Sequence, residues 1–181
     1  MKNNPEERLK FIFNNVNEWL KFAEAKNGAI LAFNGAAIFA ILSYIKKIPV
    51  IINPLLIYLL LATFLISILV NLITFIPILN ALFKSRIIKS NSLKKTKLNL
   101  VFYRDIAKLS NKDFLNKFYK TYYPAIKNEN SSFEQDLSNQ IVNNSIITYT
   151  KMLLFKISAV IEFLGIFTFI ISMLIMWLKC H

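Results

Sequence analysis

The sequence predicts an all-α membrane protein with three transmembrane helices, the last of which begins outside the membrane. Of its 181 residues, 55% are hydrophobic and sixteen are Phe. The apolar residues are gathered into three blocks, at about 28–45, 54–79 and 157–178. At about 1.5 Å of rise per helical residue, these blocks reach roughly 27, 39 and 33 Å, against a hydrocarbon core of about 30 Å. Each block is therefore long enough to span a membrane.

Residues 1–27 are predicted to form an amphipathic helix on the cytoplasmic side. Asn4-Pro5-Glu6-Glu7 is a typical helix start, with a capping side chain, a proline in the first turn and two acids. Apolar residues then recur every three or four positions, at Leu9, Ile12, Phe13, Val16, Trp19, Leu20 and Ala23. Such a helix lies on the membrane surface or packs against other helices, and the absence of a Lys-rich polar face favours packing.

Residues 28–83 are predicted to form a transmembrane hairpin. Lys46-Lys47-Ile48-Pro49 interrupts the first span, and Asn53-Pro54 starts the second with a cap followed by a proline. We expect the second span to end near Pro77. The first span also carries a stripe of small residues, which lets another helix approach closely, either within one chain or between two copies. The stripe consists of Gly28, Ala32, Ala36 and Ala40.

Residues 84–156 are predicted as a basic cytoplasmic linker followed by short helices. The stretch from Lys84 to Lys97 is rich in Lys, Ser and Asn and lacks a periodic apolar pattern, which is typical of a linker. Ser110 begins a capping-box-like start for a helix that ends before Pro124. We interpret the aromatic residues of this region as a helical core rather than a base-stacking site. They are Phe102, Tyr103, Phe114, Phe118, Tyr119, Tyr122 and Tyr123.

The last predicted helix is long enough to run unbroken from the cytoplasm through the membrane. Ser131 or Ser132 caps its start, and no Gly or Pro follows until Gly165. A helix over 133–177 would be roughly 67 Å long, with its second half forming the third span. Residues 179–181 are predicted as an external tail, which includes Cys180 and His181, the single Cys and the single His of the sequence.

The basic residues predict the orientation of the three spans. Five Lys or Arg precede the first span, two lie between the first and second, fourteen between the second and third, and one follows the third. Because basic segments are retained in the cytoplasm, the topology is predicted to be N-in and C-out. The net charge of +12 is therefore mostly cytoplasmic, where anionic lipid headgroups are its expected partner rather than nucleic acid.

Each predicted span carries one polar residue at a similar depth, namely Asn34, Asn71 and Glu162. Counted from the cytoplasmic ends, all three lie roughly 8–12 Å deep. A lone carboxyl group in hydrocarbon costs several kcal/mol unless it is protonated, paired or hydrated. We therefore expect these three residues to form an intramembrane polar layer with Glu162 close to Asn34 or Asn71. The layer is either a structural clasp between helices or a trigger that separates on activation.

The sequence contains no recognisable enzyme motif. It has three Gly in all, which is too few for a typical phosphate-binding loop, and one His, which excludes a metal site built from several His residues. Three spans with no internal repeat also fit a transporter poorly unless several chains assemble. We expect no catalytic residue, no metal and no cofactor.

Two stretches resemble a known family. The first runs from Ala23 to Gly35 and reads Ala-Glu-Ala-Lys-Asn-Gly-Ala-Ile-Leu-Ala-Phe-Asn-Gly. The second runs from Phe102 to Ser110 and reads Phe-Tyr-Arg-Asp-Ile-Ala-Lys-Leu-Ser. With a second span between them and a helix feeding a C-terminal span after them, they resemble the transmembrane effectors of Pycsar antiphage systems. The resemblance covers nearly the full length of the chain.

The resemblance implies a role in antiviral defence at the bacterial inner membrane. A partner pyrimidine nucleotidyl cyclase would make cyclic CMP or cyclic UMP during phage infection, and this nucleotide would activate the effector. The effector, which we expect to be a homo-oligomer, would then impair the membrane and cause abortive infection. The positions that match the family pattern are Lys26, Asn34, Asp105 and Ser110. No cyclic-nucleotide-binding domain is recognisable, so the nucleotide-binding residues stay open.

A second class of function also fits the sequence. A small membrane scaffold or accessory subunit, without enzymatic activity, would use the same basic cytoplasmic helices to bind anionic lipid or a partner protein. A cyclase gene immediately beside this one would favour the effector.

The distribution of basic residues makes the topology testable. Reporter fusions are expected to place Ser92 in the cytoplasm and Lys47 outside it, because fourteen basic residues lie in the segment that contains Ser92. The measurement is the activity of a periplasmic enzyme reporter and of a cytoplasmic fluorescent reporter at each position. Periplasmic activity at Ser92 would contradict the predicted orientation.

Overall fold

The computed structural model describes residues 4–45, 53–76, 98–125 and 131–180. All regular structure in these four ranges is helical. Three helices are long and apolar enough to cross a membrane. The predicted fold class, an all-α protein with three candidate spans, is confirmed.

Five α-helices follow one another in the described ranges. They are α1 (Pro5–Tyr44), α2 (Pro54–Leu72), α3 (Tyr103–Ile106), α4 (Asn111–Tyr122) and α5 (Ser132–Cys180). A 3-10 turn, Ile73–Phe75, follows α2 directly. The helix α1 has 40 residues and α5 has 49, so each is much longer than a bilayer is thick. The long continuous last helix expected from the sequence is therefore present.

Several sequence predictions fall outside the described residues. These are the helix break at 46–49, the end of the second span near Pro77, the basic linker at 84–97 and His181 of the tail. Within the described part, α2 ends at Leu72 and the 3-10 turn continues it to Phe75.

The helices form two compact units. The division falls after Glu24 in α1 and after Met152 in α5, so both long helices contribute to each unit. We call the first unit, which contains α3, α4 and the first parts of α1 and α5, the aromatic unit. The second unit, which contains α2 and the later parts of α1 and α5, is the span unit.

The aromatic unit is organised around a conventional apolar core. The first part of α1 contributes its three- and four-residue pattern, with Leu9, Ile12 and Val16 fully buried. From α4 and α5 come the largest buried side chains, which are Phe114, Phe118, Ile141, Val142 and Ile146. Of the two placements considered for the N-terminal helix, the structure therefore has the one in which its apolar face packs against other helices.

Polar contacts fix the start of α5 in the aromatic unit. The Ser131 Oγ accepts from the Glu134 backbone N–H at 3.2 Å, and Glu134 Oε2 accepts from the Ser131 N–H at 3.0 Å, which is a capping box. The Tyr119 hydroxyl donates to the other oxygen of Glu134. Burial, together with the hydrogen bond and charge of Glu134, raises the pKa of Tyr119 above its ordinary value.

Close helix packing in the span unit depends on one glycine. At Gly165 of α5, an added Cβ would lie 2.5 Å from Thr63 Oγ1 of α2, well inside van der Waals contact. Glycine is therefore required for α2 and α5 to approach as closely as they do. The start of α2 is fixed locally by Asn53, whose Oδ1 accepts from the Leu55 N–H at 3.0 Å.

Candidate functional site

The helix α2 turns its polar side chains inward and its leucines outward. Its buried residues are Ile57, Phe64, Ser67 and Asn71, and Thr74 is buried in the turn that follows. Its outward leucines are 53–61% exposed, at Leu55, Leu59, Leu65 and Leu69. A soluble helix would have the opposite arrangement, whereas a helix in lipid pairs its polar groups with other helices. The buried face of α2 therefore carries the polar residues that could form a site.

Ser67 joins the three helices of the span unit. Asn34 of α1 donates from Nδ2 to Ser67 Oγ at 2.9 Å, and Ser67 Oγ donates its own proton to Glu162 Oε1 of α5. Ser67 is fully buried, Asn34 likewise, and Glu162 is 7% exposed. One hydroxyl therefore receives a hydrogen bond from α1 and gives one to α5.

A second set of contacts lies one turn away from Ser67. Asn71 Nδ2 donates to the Ser67 carbonyl at 2.9 Å and to Ser158 Oγ of α5 at 2.7 Å. The Ser158 hydroxyl also lies 3.4 Å from the same carbonyl. Because α2 and α5 meet through Ser67 with Glu162 and through Asn71 with Ser158, the two helices run antiparallel. We call Asn34, Ser67, Asn71, Ser158 and Glu162 the Ser67 layer.

The structure places the three residues of the predicted polar layer around one residue that sequence reasoning missed. Glu162 meets Asn34 through the Ser67 hydroxyl, and Asn71 is anchored to the Ser67 backbone. The signal that could have found Ser67 is its spacing, since it lies four residues before Asn71 and therefore on the same helix face. Without a second polar residue three or four positions away, a serine in a long apolar run would give no such signal.

The family of the chain follows from a comparison with known families. A family model described as a Pycsar effector protein domain matches residues 8–178. The chain belongs to this family. Comparison with curated proteins and with solved structures gives no match. The chain is thus a membrane effector of a Pycsar antiphage system, in which the cyclase is a separate functional partner.

The small-residue stripe of this Pycsar effector faces away from the other helices. Gly28, Ala32, Ala36 and Ala40 are all exposed, and nothing lies within 4 Å of the position a Cβ would take at Gly28. The buried face of α1 in this region is formed instead by Asn27, Ile30 and Asn34. The first of the two uses considered for the stripe was packing within one chain. In the described residues, the stripe does not pack against another helix of the same chain.

The positions that match the family pattern divide between the two units. Asn34 belongs to the Ser67 layer, and Lys26 lies with its Nζ 5.0 Å from the centre of the Phe155 ring, also in the span unit. Asp105 and Ser110 belong to the aromatic unit. Ser110 caps α4, since its Oγ accepts from the Asp113 N–H at 3.1 Å.

Asp105 holds the turn around α3. It accepts from the Asn99 N–H at 3.1 Å and from Lys108 Nζ at 2.8 Å. Burial opposes ionisation of this carboxyl, but the Lys108 and Asn99 hydrogen bonds and the charges of Lys108 and Arg104 outweigh it and lower the pKa of Asp105. The described contacts of Asp105 and Ser110 thus organise local backbone.

The bridging role of Ser67 is testable by removing one hydroxyl. Ser67→Ala is expected to lower the free energy of unfolding by about 1–3 kcal/mol, because two interhelical hydrogen bonds are lost at roughly 0.6–1.7 kcal/mol each. The measurement is thermal unfolding of the purified full chain in detergent. The matched control is Ser172→Ala, whose hydroxyl donates to Thr168 O of the same helix at 2.8 Å. Equal melting temperatures for the two variants would contradict the bridging role.

Proposed function

We propose that cyclic CMP or cyclic UMP, made by the partner pyrimidine cyclase, activates this effector, and that the activated protein impairs the inner membrane to cause abortive infection. The observation that carries the proposal is the Ser67 layer. It keeps a carboxyl group and two amides buried among three otherwise apolar helices. Family membership supports the role of an effector that responds to a partner cyclase.

The Ser67 layer has the physical properties of a trigger. Its groups are paired while the three helices stay together, but on separation they would face lipid, where each unpaired polar group costs several kcal/mol. Separated helices must therefore find new partners, either in another copy of the chain or in water. Both outcomes disturb the bilayer, which links loss of the layer to membrane damage.

Assembly of several copies is part of the proposal, because the three closely packed helices of one chain enclose too little space for a wide aqueous pore. The exposed stripe of Gly28, Ala32, Ala36 and Ala40 supports this step. In a membrane these residues contact either lipid or another helix, and small side chains at four-residue spacing are typical of helix association. We propose that the stripe is the contact between copies.

The proposed activation also requires the aromatic unit to lie on the cytoplasmic side of the membrane. With the N-terminus in the cytoplasm, the aromatic unit would lie where the cyclase releases its product. The ion pair between Lys151 and Glu24, at 3.1 Å, and the contact of Asn17 with Asn144, at 2.8 Å, bind α1 to α5 in that unit. Since both helices continue into the span unit, a ligand that shifts α1 against α5 would move Asn34 against Glu162.

The activation step can be tested by membrane potential. Cells expressing the full chain are expected to depolarise when cyclic CMP or cyclic UMP is supplied, because the activated effector would permeabilise the inner membrane. The measurement is a potential-sensitive dye, with cyclic AMP as a control that keeps the cyclic phosphate and changes the base. A scaffold would give no nucleotide-dependent depolarisation, and that result would overturn the proposal.

The contact between copies can be tested separately. Ala36→Leu is expected to reduce crosslinking of the chain in native membranes several-fold, because the larger side chain separates the two helix backbones. The matched control is Val160→Phe, which enlarges a side chain that is 48% exposed on α5. Unchanged crosslinking of Ala36→Leu with normal membrane insertion would remove the stripe from the proposed assembly.

A further inference from the structure

The buried face of α2 in the span unit is polar on one side of Ser67 and apolar on the other. Along the buried face of α2, Ser67, Asn71 and Thr74 follow one another toward the C-terminal end of the helix and its 3-10 turn. Toward the other end, the buried residues are Phe64 and Ile57. One face of one helix therefore changes from polar to apolar at Ser67.

The other two helices bury polar residues on the same side of the layer, where Ile30 and Leu154 are buried as well. On α5, the buried Ser158 precedes Glu162, and Gly165 follows it. On α1, the buried Asn27 precedes Asn34 by two turns, with Ile30 between them, and no residue from Gly35 to Ser43 is fully buried. Because α2 is antiparallel to α5, Asn71 lies beside Ser158 and Thr63 lies beside Gly165. The polar residues of α2 and α5 are thus on the same side of the layer.

Two amide oxygens and one hydroxyl on the polar side lack a hydrogen-bond partner among the described residues. Asn34 Oδ1, Asn71 Oδ1 and Thr74 Oγ1 are buried, and none of them has a hydrogen-bond partner in the part of the chain that the structure describes. Asn34 and Asn71 are fully buried. Beside them lies the Glu162 carboxyl, whose Oε1 accepts from Ser67. These oxygens call for a donor or a cation beyond those that the described residues supply.

The assignment of the amide oxygens follows from the hydrogen-bond pattern. If the Asn71 amide were turned over, its oxygen would face the Ser67 carbonyl, and two acceptors would meet. If the Asn34 amide were turned over, its oxygen would face Ser67 Oγ, whose single proton already goes to Glu162. Both amides must therefore present nitrogen to Ser67, which leaves both oxygens available.

Amide, hydroxyl and carboxylate oxygens are the ligands that hard cations prefer, and they repel anions. We propose that the polar side of the span unit binds a hydrated monovalent cation, and that Phe64 closes the path by filling its apolar end. Phe64 is 3% exposed, and its ring lies 6.1 Å from that of Phe33, centre to centre. A constriction lined by such side chains excludes water and so blocks ions.

This inference deepens the proposed function, since it names the ions that the activated effector would pass. It is nevertheless tested without any nucleotide. The full chain is reconstituted in vesicles loaded with KCl, and efflux of K⁺ and of Cl⁻ is followed with ion-selective electrodes. Phe64→Ala is expected to release K⁺ at least about tenfold faster than the wild type, because water can enter where the ring was. The matched control is Leu65→Ala, which shortens a neighbouring side chain that is 53% exposed.

The cation site is tested in the same vesicles. Adding Glu162→Gln to Phe64→Ala is expected to reduce the preference for K⁺ over Cl⁻, because the amide keeps the size of the carboxyl group without its charge. Should Phe64→Ala fail to reconstitute, Phe64→Val takes its place, with a smaller increase in efflux expected. Efflux equal to that of Leu65→Ala would show that Phe64 is not the closure. Equal release of K⁺ and Cl⁻ by Phe64→Ala alone would remove the cation site. A preference for K⁺ that Glu162→Gln leaves unchanged would remove it as well.

Failure of this inference and failure of the proposed function give different results. A wild type that never responds to cyclic CMP or cyclic UMP would overturn the proposed activation, yet a K⁺-selective leak in Phe64→Ala would still support the path. Conversely, the wild type could depolarise cells on addition of nucleotide while Phe64→Ala releases K⁺ no faster than Leu65→Ala. That pair of results would keep the proposed function and reject the path.

Discussion

The span unit depends on the Ser67 hydroxyl, which accepts from α1 and donates to α5. In water a serine between two polar groups contributes little, since solvent competes for both of its hydrogen bonds. In a membrane the apolar faces of the helices do not distinguish lipid from protein, so the polar groups decide which face turns inward. The rotation of α2 about its own axis is thus fixed by Ser67 and Asn71, and its leucines are left to the lipid.

In both long helices, the interaction that stabilises the buried face changes part-way along. The buried positions of α1 are Leu9, Ile12, Val16, Ala23, Asn27, Ile30 and Asn34. They keep a helical spacing throughout, while the buried chemistry passes from aliphatic to amide. In the aromatic unit this face is buried by the hydrophobic effect, and in the span unit by hydrogen bonding. The buried face of one continuous helix is therefore stabilised in two different ways, without a break in its spacing. The same change occurs in α5 between Ile141 and Glu162.

The sequence was sufficient for the fold class, and it singled out Asn34, Asn71 and Glu162 as candidates, because apolar length and polar residues within it leave a signal that does not depend on partners. Apolar length predicts a span, and an acid such as Glu162 in a long apolar run draws attention on its own. The spacing of Ser67 from Asn71 could have placed it on the buried face, but its bridging role was not predictable, since a hydroxyl can bond to its own helix and only the register between helices shows which partner it takes. For the same reason the use of the Ala36 stripe could not be decided from spacing, and the structure shows that it faces outward.

The small energy of the Ser67 layer suits a ligand-controlled switch. Four hydrogen bonds join different helices in the layer, namely Asn34 to Ser67, Ser67 to Glu162, Asn71 to Ser158, and Ser158 to the Ser67 carbonyl. At roughly 0.6–1.7 kcal/mol for each interhelical bond, they stabilise the closed arrangement by about 2–7 kcal/mol. A ligand that prefers the open arrangement by about 5.5 kcal/mol moves a two-state equilibrium from about 1:99 to 99:1. The two energies are of the same size, which is what the proposed release of the layer by a small molecule requires. A larger buried network would hold the helices beyond the reach of any single nucleotide, whereas an apolar seam alone would give them no defined closed state.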